Sequence, residues 1–151
     1  GVHLLDLARW FLGDLKFVAG RAPTYFWNMP VEDNAFFLLE TEKRQTAFLH
    51  ASWTEWKNLF SFEIFGRMGK LEISGLGGSY GTEKLVHHQM LPDMGPPPTT
   101  IYEYPMPDNS WEMEIAEFVE DIRRGRTPQP GVADARAALE IIEQLYSRSS
   151  L

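Results

Sequence analysis

Two side chains near the start of the sequence have the types and the spacing needed for proton transfer. His3 and Asp6 are three residues apart, so a helix over residues 1–13 places them on one face. An imidazole has an unperturbed pKa near neutrality, and in an enclosed site a neighbouring carboxylate makes it a natural proton donor and acceptor. The alternative is a partly buried histidine whose second ring nitrogen is satisfied by Asp6, with no chemistry. One His-x-x-Asp spacing leaves both interpretations open.

The helix that carries this pair is predicted to be mostly buried. Apolar side chains cover most of its circumference, and Gly13 is placed to end it. These side chains are Leu4, Leu5, Leu7, Ala8, Trp10, Phe11 and Leu12. The prediction is that His3 and Asp6 point into whatever the helix packs against.

Extended segments follow the first helix, and helical periodicity returns at the end of the chain. Short apolar or alternating segments, bounded by Pro, Gly and polar turns, predict six or seven strands joined mainly by hairpins. The segments are 15–21, 35–41, 45–54, 60–65, 70–74, 82–89 and 100–104. Two further helices are predicted, from a cap at Asn109 to Arg124 and from Asp134 to Ser147, with their apolar residues in the core. The predicted fold class is α+β, a largely antiparallel or mixed open-faced β-sheet with helices packed on one face.

Composition excludes several classes of protein. With 151 residues, 44% of them hydrophobic and 13% aromatic, the chain can form one compact domain. A formal net charge of −7 with scattered basic residues argues against a nucleic-acid partner. The absence of cysteine excludes disulfides and Cys-ligated metals. No apolar run approaches the roughly 18 residues that cross a bilayer, so no membrane partner and a cytoplasmic location are expected.

Two motifs that invite a functional interpretation are predicted to be structural. Residues 75–81 are rich in glycine, but Tyr80 stands where Gly-x-Gly-x-x-Gly requires its third glycine, and no βαβ unit surrounds it. A loop is therefore predicted. His87 and His88 are adjacent on a predicted strand and point to opposite faces, so they cannot form a two-histidine metal site by themselves. No metal site is predicted.

The first helix also resembles a segment of a known family. Residues 1–13 are similar to the start of the C-terminal domain of the glucose-fructose oxidoreductase / inositol dehydrogenase / rhizopine catabolism (Gfo/Idh/MocA) family of NAD(P)-dependent oxidoreductases. The family pattern is Asp-x-x-x-His-x-x-Asp followed by an apolar helix ending at Gly, and its histidine and second aspartate fall on His3 and Asp6. Its first aspartate would precede Gly1. That aspartate, the nucleotide-binding domain and the Glu-Lys-Pro stretch with the catalytic lysine are absent from this sequence.

The resemblance extends along the rest of the chain. Motifs in the family's order are Val31-Glu32-Asp33, Ala51-Ser52-Trp53, and Phe65-Gly66 followed by Gly69 and Leu71. The stretch from Trp111 to Ser147 also resembles the end of the family's chains. The resemblance therefore implies that residues 1–151 are a single substrate-binding and oligomerisation domain, the C-terminal part of a larger oxidoreductase.

The resemblance implies a function for particular residues. It implies a sugar or polyol substrate, hydride transfer with NAD or NADP, and a cofactor bound mainly by the missing N-terminal dinucleotide-binding domain. His3 is then the acid/base, and Asp6 orients the substrate or the imidazole. Further substrate contacts are expected from Tyr80, Trp53, Lys57 or His87, each of which is alternatively a surface or packing residue. Family members commonly stack these sheets, which implies a homo-dimer or tetramer through the sheet face.

Two other functions stay open at this point. Some members of the family use nicotinamide transiently to cleave glycosides, and the chain is alternatively a non-catalytic oligomerisation and substrate-binding module. The upstream aspartate and lysine distinguish an enzyme from such a module. In either case the chain alone is expected to be inactive, because it has no dinucleotide site.

Overall fold

The computed structural model describes residues 1–93 and 95–149, which form helices and strands in the predicted α+β arrangement. The three helices are α1 (Val2–Leu12), α2 (Ser110–Arg124) and α3 (Val132–Ser149). The seven strands are β1 (Lys16–Arg21), β2 (Asn34–Glu40), β3 (Thr46–Ser52), β4 (Ser61–Phe65), β5 (Gly69–Ser74), β6 (Glu83–Gln89) and β7 (Thr99–Tyr104). Each predicted segment therefore forms an element, with ends that differ by a few residues.

The strands form two antiparallel sheets, where the sequence suggested one. The first sheet has the order β1-β2-β3, and the second has the order β4-β5-β6-β7. The chain divides into two compact units, which coincide with the sheets. The first unit is Gly1–Trp56 with Thr127–Leu151, and the second is Lys57–Arg126. The α+β class and its antiparallel pairing are confirmed.

The core of the first unit lies between the three-stranded sheet and two helices on one face. Along β2 and β3 the side chains alternate between the two faces of the sheet, with Leu39 and Leu49 buried while Phe48 is exposed. Helix α3 packs on β1, and α1 packs on β3 and on α3. The buried apolar residues are Leu5, Ala8, Leu15, Phe17, Phe37, Leu39, Ala47, Leu49, Ala138, Ile141 and Leu145. The ends of the chain thus close over one sheet.

A glycine in β1 permits the close approach of these layers. A Cβ built on Gly20 would lie 2.4 Å from the carbonyl oxygen of Phe36 and 2.6 Å from Cδ1 of Leu145. Real Cβ atoms do not approach backbone oxygens so closely, so any side chain at this position would push β1 away from β2 and α3.

Arg9 connects the first helix to the last. Its guanidinium lies 3.0 Å from Asp14 Oδ1 and 3.6 Å from Asp134 Oδ1, and only 14% of its side chain is exposed. Asp134 also accepts the backbone N–H of Gly131 at 2.9 Å, which satisfies a free donor at the start of α3. Just after the last turn of α1, Gly13 has a φ of 81° and donates to Arg9 O, so the predicted helix stop is confirmed.

The second unit is a four-stranded sheet with a charged face and an apolar face. Lys70 on the charged face contacts Glu63 and lies 3.6 Å from Glu72 Oε2, and these carboxylates raise its pKa. His88 lies on this face opposite Lys70, whereas His87 lies opposite Leu71 on the apolar face. The two histidines therefore point to opposite faces, as predicted.

Helix α2 corrects one prediction about the core. It ends as expected, with Gly125 in the left-handed region at φ 61° after two basic residues. The capping hydrogen bond comes from Asp108, which accepts the N–H of Ser110 at 3.0 Å, and no side-chain hydrogen bond comes from Asn109. The prediction that its apolar residues are core is wrong, since no residue of α2 is buried. The exposed ones are Trp111, Met113, Ile115, Phe118, Val119 and Ile122.

Adjacent leucines on β2 provide a test of the first core. Leu39 is 0% exposed and Leu38 is 36% exposed. We expect Leu39→Ala to lower the free energy of unfolding by about 2–5 kcal/mol, because it removes buried methyl groups and leaves a cavity. Leu38→Ala should cost less than about 1 kcal/mol. Urea denaturation followed by circular dichroism measures both, and equal losses would contradict this core.

Candidate functional site

The predicted acid/base pair lies at the amino end of α1. A Cβ built on Gly1 would lie 3.5 Å from Cβ of Ala51, so this end of the helix rests against the last residues of β3. His3 is exposed and Asp6 is half-buried. Of the eleven residues of α1 only Leu5 and Ala8 are buried, so the prediction of a mostly buried helix is wrong. The apolar residues extend around more of the helix surface than the part that contacts the sheet and α3.

The His3 side chain is open to solvent, and the side chains of His3 and Asp6 do not bond to each other. Within the described residues, the side chains of His3 and Asp6 form neither a hydrogen bond nor an ion pair. The imidazole is therefore not a buried ring satisfied by Asp6, which was the packing alternative. An exposed imidazole can meet a ligand and can exchange its proton with solvent.

A buried carboxylate organises the loop at the same end of the sheet. Asp33, only 1% exposed, precedes β2, and its side chain accepts backbone N–H groups from the preceding loop. Oδ1 accepts from Tyr25 at 2.8 Å, and Oδ2 accepts from Phe26 at 2.7 Å and from Trp27 at 3.0 Å. Three consecutive amides thus converge on one side chain, which fixes the course of the loop.

The electrostatics of Asp33 follow from this geometry. Burial alone raises the pKa of a carboxyl group, because it removes the charged form from water. The hydrogen bonds from Tyr25, Phe26, Trp27 and the Asn34 amide outweigh burial and hold the pKa of Asp33 well below its usual range. The group is therefore an ionised structural anchor at neutral pH.

A polar network continues from Asp33 across the strand ends. The Asn34 amide donates to Asp33 Oδ1 at 3.0 Å and to Thr54 Oγ1 at 3.1 Å, and its oxygen lies 2.9 Å from His50 Nε2. Ser52 Oγ lies 2.8 Å from Thr54 Oγ1. The network joins the start of β2 to the end of β3.

The last helix is attached to the same region. Tyr146 donates its hydroxyl to Glu32 Oε1 at 2.6 Å. That hydrogen bond, with burial, raises the pKa of Tyr146 to about 12. This hydrogen bond connects Glu32, the residue before Asp33, to helix α3.

Three aromatic rings, those of Phe26, Trp27 and Trp56, contact one another at this anchored loop, and Trp53 is joined to them through its backbone carbonyl. We call these four residues the aromatic cluster. The ring of Phe26 meets those of Trp27 and Trp56 edge to face, with centroids 5.1 and 4.9 Å apart. Trp27 Nε1 donates to the carbonyl oxygen of Trp53 at 3.2 Å. Sequence reasoning proposed only Trp53 from this cluster. The signal that could have found Phe26 and Trp27 is the consecutive aromatic run between Pro23 and Pro30, whereas Trp56 lies outside that run.

The six predicted site residues fall in both units. His3, Asp6 and Trp53 belong to the first unit, and Trp53 follows β3 with an exposed side chain. The other three, Lys57, Tyr80 and His87, belong to the second unit. Lys57 and Tyr80 are exposed, and Tyr80 lies in the glycine-rich connection, which is a loop as predicted.

The described residues offer neither a metal site nor a membrane-spanning helix. Across residues 1–93 and 95–149, no group of three or more His, Asp or Glu side chains is arranged to hold a metal ion. None of the helices in the described part of the chain has the length and apolar character to cross a membrane.

Sequence comparison confirms the family resemblance. Residues 1–72 match the family model of the GFO/IDH/MocA C-terminal domain. No curated protein matches the sequence. The first 72 residues, just under half of the chain, are therefore similar to the C-terminal domain of Gfo/Idh/MocA oxidoreductases.

Solved structures share the fold over nearly the whole chain. KijD10, a 3-ketoreductase from Actinomadura kijaniata in complex with NADP, superposes with a TM-score of 0.76 at 19% identity, covering 97% of this chain and 45% of its own. An oxidoreductase from Agrobacterium radiobacter in complex with NAD+, L-tartaric acid and magnesium superposes with a TM-score of 0.75 at 20% identity. The match covers 99% of this chain and 45% of that structure. UDP-N-acetylglucosamine 3-dehydrogenase GnnA from Acidithiobacillus ferrooxidans superposes with a TM-score of 0.67 at 20% identity. The match covers 94% of this chain and 45% of that structure. The chain spans about half the length of these structures.

The Asp33 anchor predicts a pH dependence of stability. Because the pKa of Asp33 is lower in the folded chain, its stabilisation is complete above the ordinary carboxyl value of about 4 and is lost as the pH falls below it. Asp33→Asn places an NH2 group among backbone donors and should lower the urea midpoint at neutral pH. The difference from the parent chain should shrink below about pH 4.

The control for this experiment is Asp93→Asn, which neutralises an exposed carboxylate. It should leave the urea midpoint close to that of the parent chain at every pH. A deficit of Asp33→Asn that stays constant from neutral to acid pH would contradict the anchoring role.

Proposed function

We propose that the chain is the substrate-binding and catalytic domain of a larger NAD(P)-dependent oxidoreductase that acts on a sugar or polyol by hydride transfer. The observation that carries the proposal is the exposed His3 with Asp6 on the next turn of α1, inside the segment that matches the family model. The shared fold with the NADP-bound ketoreductase and the GnnA dehydrogenase supports the same class.

The proposed role of His3 is proton transfer. When a secondary alcohol becomes a ketone, the carbon loses a hydride and the hydroxyl loses a proton, and NAD or NADP supplies the hydride acceptor. The His3 imidazole takes the hydroxyl proton in this direction and returns one in the reverse direction. Asp6 accepts hydrogen bonds from substrate hydroxyls or from the imidazole, which holds the reacting groups in register.

In this proposal the dinucleotide is bound mainly by a domain outside the chain. Every strand pairing among the described residues is antiparallel, so a parallel βαβ nucleotide unit is not present there. The glycine-rich residues 75–81 connect two antiparallel strands. We accordingly expect no nicotinamide turnover from the chain alone.

We also propose that the chain forms a homo-oligomer through the outer face of the first sheet. The cross-strand pairs on this face are Phe36 with His50 and Leu38 with Phe48. The Phe36 and His50 rings stack at 4.3 Å, and Phe48 is 71% exposed. A contiguous exposed apolar face of this kind commonly marks an interaction surface.

The acid/base role is tested in the protein that carries this chain together with its dinucleotide-binding domain. We expect His3→Ala to lower kcat for sugar or polyol oxidation by about 10²–10⁴-fold, with a smaller change in KM, because the hydroxyl proton loses its acceptor. His88→Ala, on the charged face of the second sheet, is the matched control and should keep the parental kcat. Oxidation at the parental rate by His3→Ala would contradict the acid/base role of His3.

The oligomer is tested by light scattering of the chain at tens of micromolar. We expect the parent chain to be larger than a monomer, and Phe48→Lys to shift it toward the monomer because a charge would be buried between sheets. Lys43→Glu, in the exposed hairpin between β2 and β3, is the control. A monodisperse parent monomer would contradict the proposal.

A further inference from the structure

We infer that the aromatic cluster is a stacking site for the ring of a neutral pyranose sugar. The inference rests on the proposed function and names the class of substrate that the same end of the first unit would hold. It is carried by the exposure of the rings, the rigidity of the backbone beneath them and the charge around them.

The cluster is held in place before any ligand arrives. The Asp33 carboxylate fixes the backbone beneath Phe26 and Trp27 through their N–H groups. Trp53 is held at both backbone groups, since its N–H donates to Asp33 O at 2.8 Å and its carbonyl accepts from Trp27 Nε1. A preorganised surface loses little conformational entropy on binding, so stacking retains more of its energy.

Despite this anchoring, the rings are open to solvent. Trp53 is 79% exposed, and Phe26 and Trp56 are also exposed. Trp56 has a φ of 59°, a left-handed conformation that strains a non-glycine residue and is found often at ligand-binding sites. Flat apolar rings on a fixed backbone offer a surface for the flat apolar side of a ligand.

Charge and ring geometry exclude two other ligand classes. The segments 22–34 and 51–56 contain three carboxylates, those of Glu32, Asp33 and Glu55, and no Lys or Arg. Two basic residues, Arg21 and Lys57, border these segments, so acidic groups outnumber basic ones and a phosphate or another anion is not favoured. An aromatic cage for an ammonium ion needs rings that surround the ion. Here the Phe26 ring is in direct contact with those of Trp27 and Trp56, which leaves no space between them.

A neutral pyranose matches what remains. Its C–H groups form an apolar face that stacks on an indole, and its hydroxyls need polar groups at the rim. Asn28 and Glu55 are exposed and adjoin the cluster in the chain, so they offer such groups. The amino end of α1 rests on Ala51, two residues before Trp53, so His3 and the cluster lie at the same end of β3.

The chain contains its own controls for a binding experiment. Trp10 and Trp111 are 77% and 76% exposed, nearly as much as Trp53, but neither belongs to the anchored cluster. The five indole N–H resonances of the labelled chain are assigned by Trp→Phe variants and followed during titration with methyl β-D-glucopyranoside. We expect saturable shifts for Trp53 and Trp56 and none for Trp10 and Trp111.

Variants and a second probe make the result decisive. Trp53→Ala should weaken glucoside binding by at least about fivefold, Trp53→Phe should retain most of it, and Trp111→Ala should leave it unchanged. Unsaturable shifts, or equal shifts of all five indoles, would overturn the inference. Shifts with uridine monophosphate but not with the glucoside would also overturn it, in favour of a nucleobase.

This titration tests the stacking site independently of the proposed function, because it measures binding and not turnover. In the oxidoreductase assay, Trp53→Ala should raise KM with little change in kcat, whereas His3→Ala lowers kcat. A Trp53→Ala enzyme with the parental KM would overturn the stacking site alone and leave the acid/base proposal in place.

Discussion

The buried carboxylate of Asp33 is the interaction that holds together the end of the first unit where the candidate site lies. It is ionised in a place with almost no water, which is tolerated only because backbone and side-chain donors surround it. The three backbone donors come from a loop that has no regular structure of its own. One side chain therefore replaces the hydrogen bonding that a helix or a sheet would have provided for residues 25–27.

Asp33 and its two sequence neighbours, Glu32 and Asn34, connect the loop to β3 and to α3. The backbone of Asp33 accepts from Trp53, and the neighbouring Asn34 reaches His50 and Thr54, so the strand ends are joined through polar atoms. Glu32 is held from α3 by Tyr146. The edge of the sheet beside the amino end of α1 is thus rigid although many of its side chains are exposed. A rigid backbone that carries exposed aromatic rings is the arrangement a binding surface needs.

Sequence patterns predicted the parts of this structure that depend on local rules. Short apolar or alternating segments correctly predicted the strands, and Gly13 correctly predicted the end of α1. Periodicity shows which face of an element is apolar but not whether another element covers it. That is why the apolar residues of α2 and much of α1 are exposed, where a core was expected. The division of the strands into two sheets depends on pairings that no local pattern specifies.

The site was predictable to a similar extent. His3 and Asp6 were found from their spacing, which is a property of neighbouring residues. The Asp33 anchor was not, because a carboxylate that accepts amides six to eight residues earlier has no spacing rule to reveal it. Trp27 and Trp56 are far apart in sequence and meet only through that anchor and the end of β3.

The discontinuity of the first unit has a consequence for biosynthesis. Its core takes Leu5 and Leu39 from one end of the chain and Ile141 and Leu145 from the other, with the second unit encoded between them. During translation the three-stranded sheet leaves the ribosome long before α3 exists to cover it. The four-stranded sheet, made of consecutive hairpins, has all its strands available earlier. Newly made chains therefore pass through a stage in which the first sheet has an uncovered apolar face, and this stage lasts until the last helix emerges.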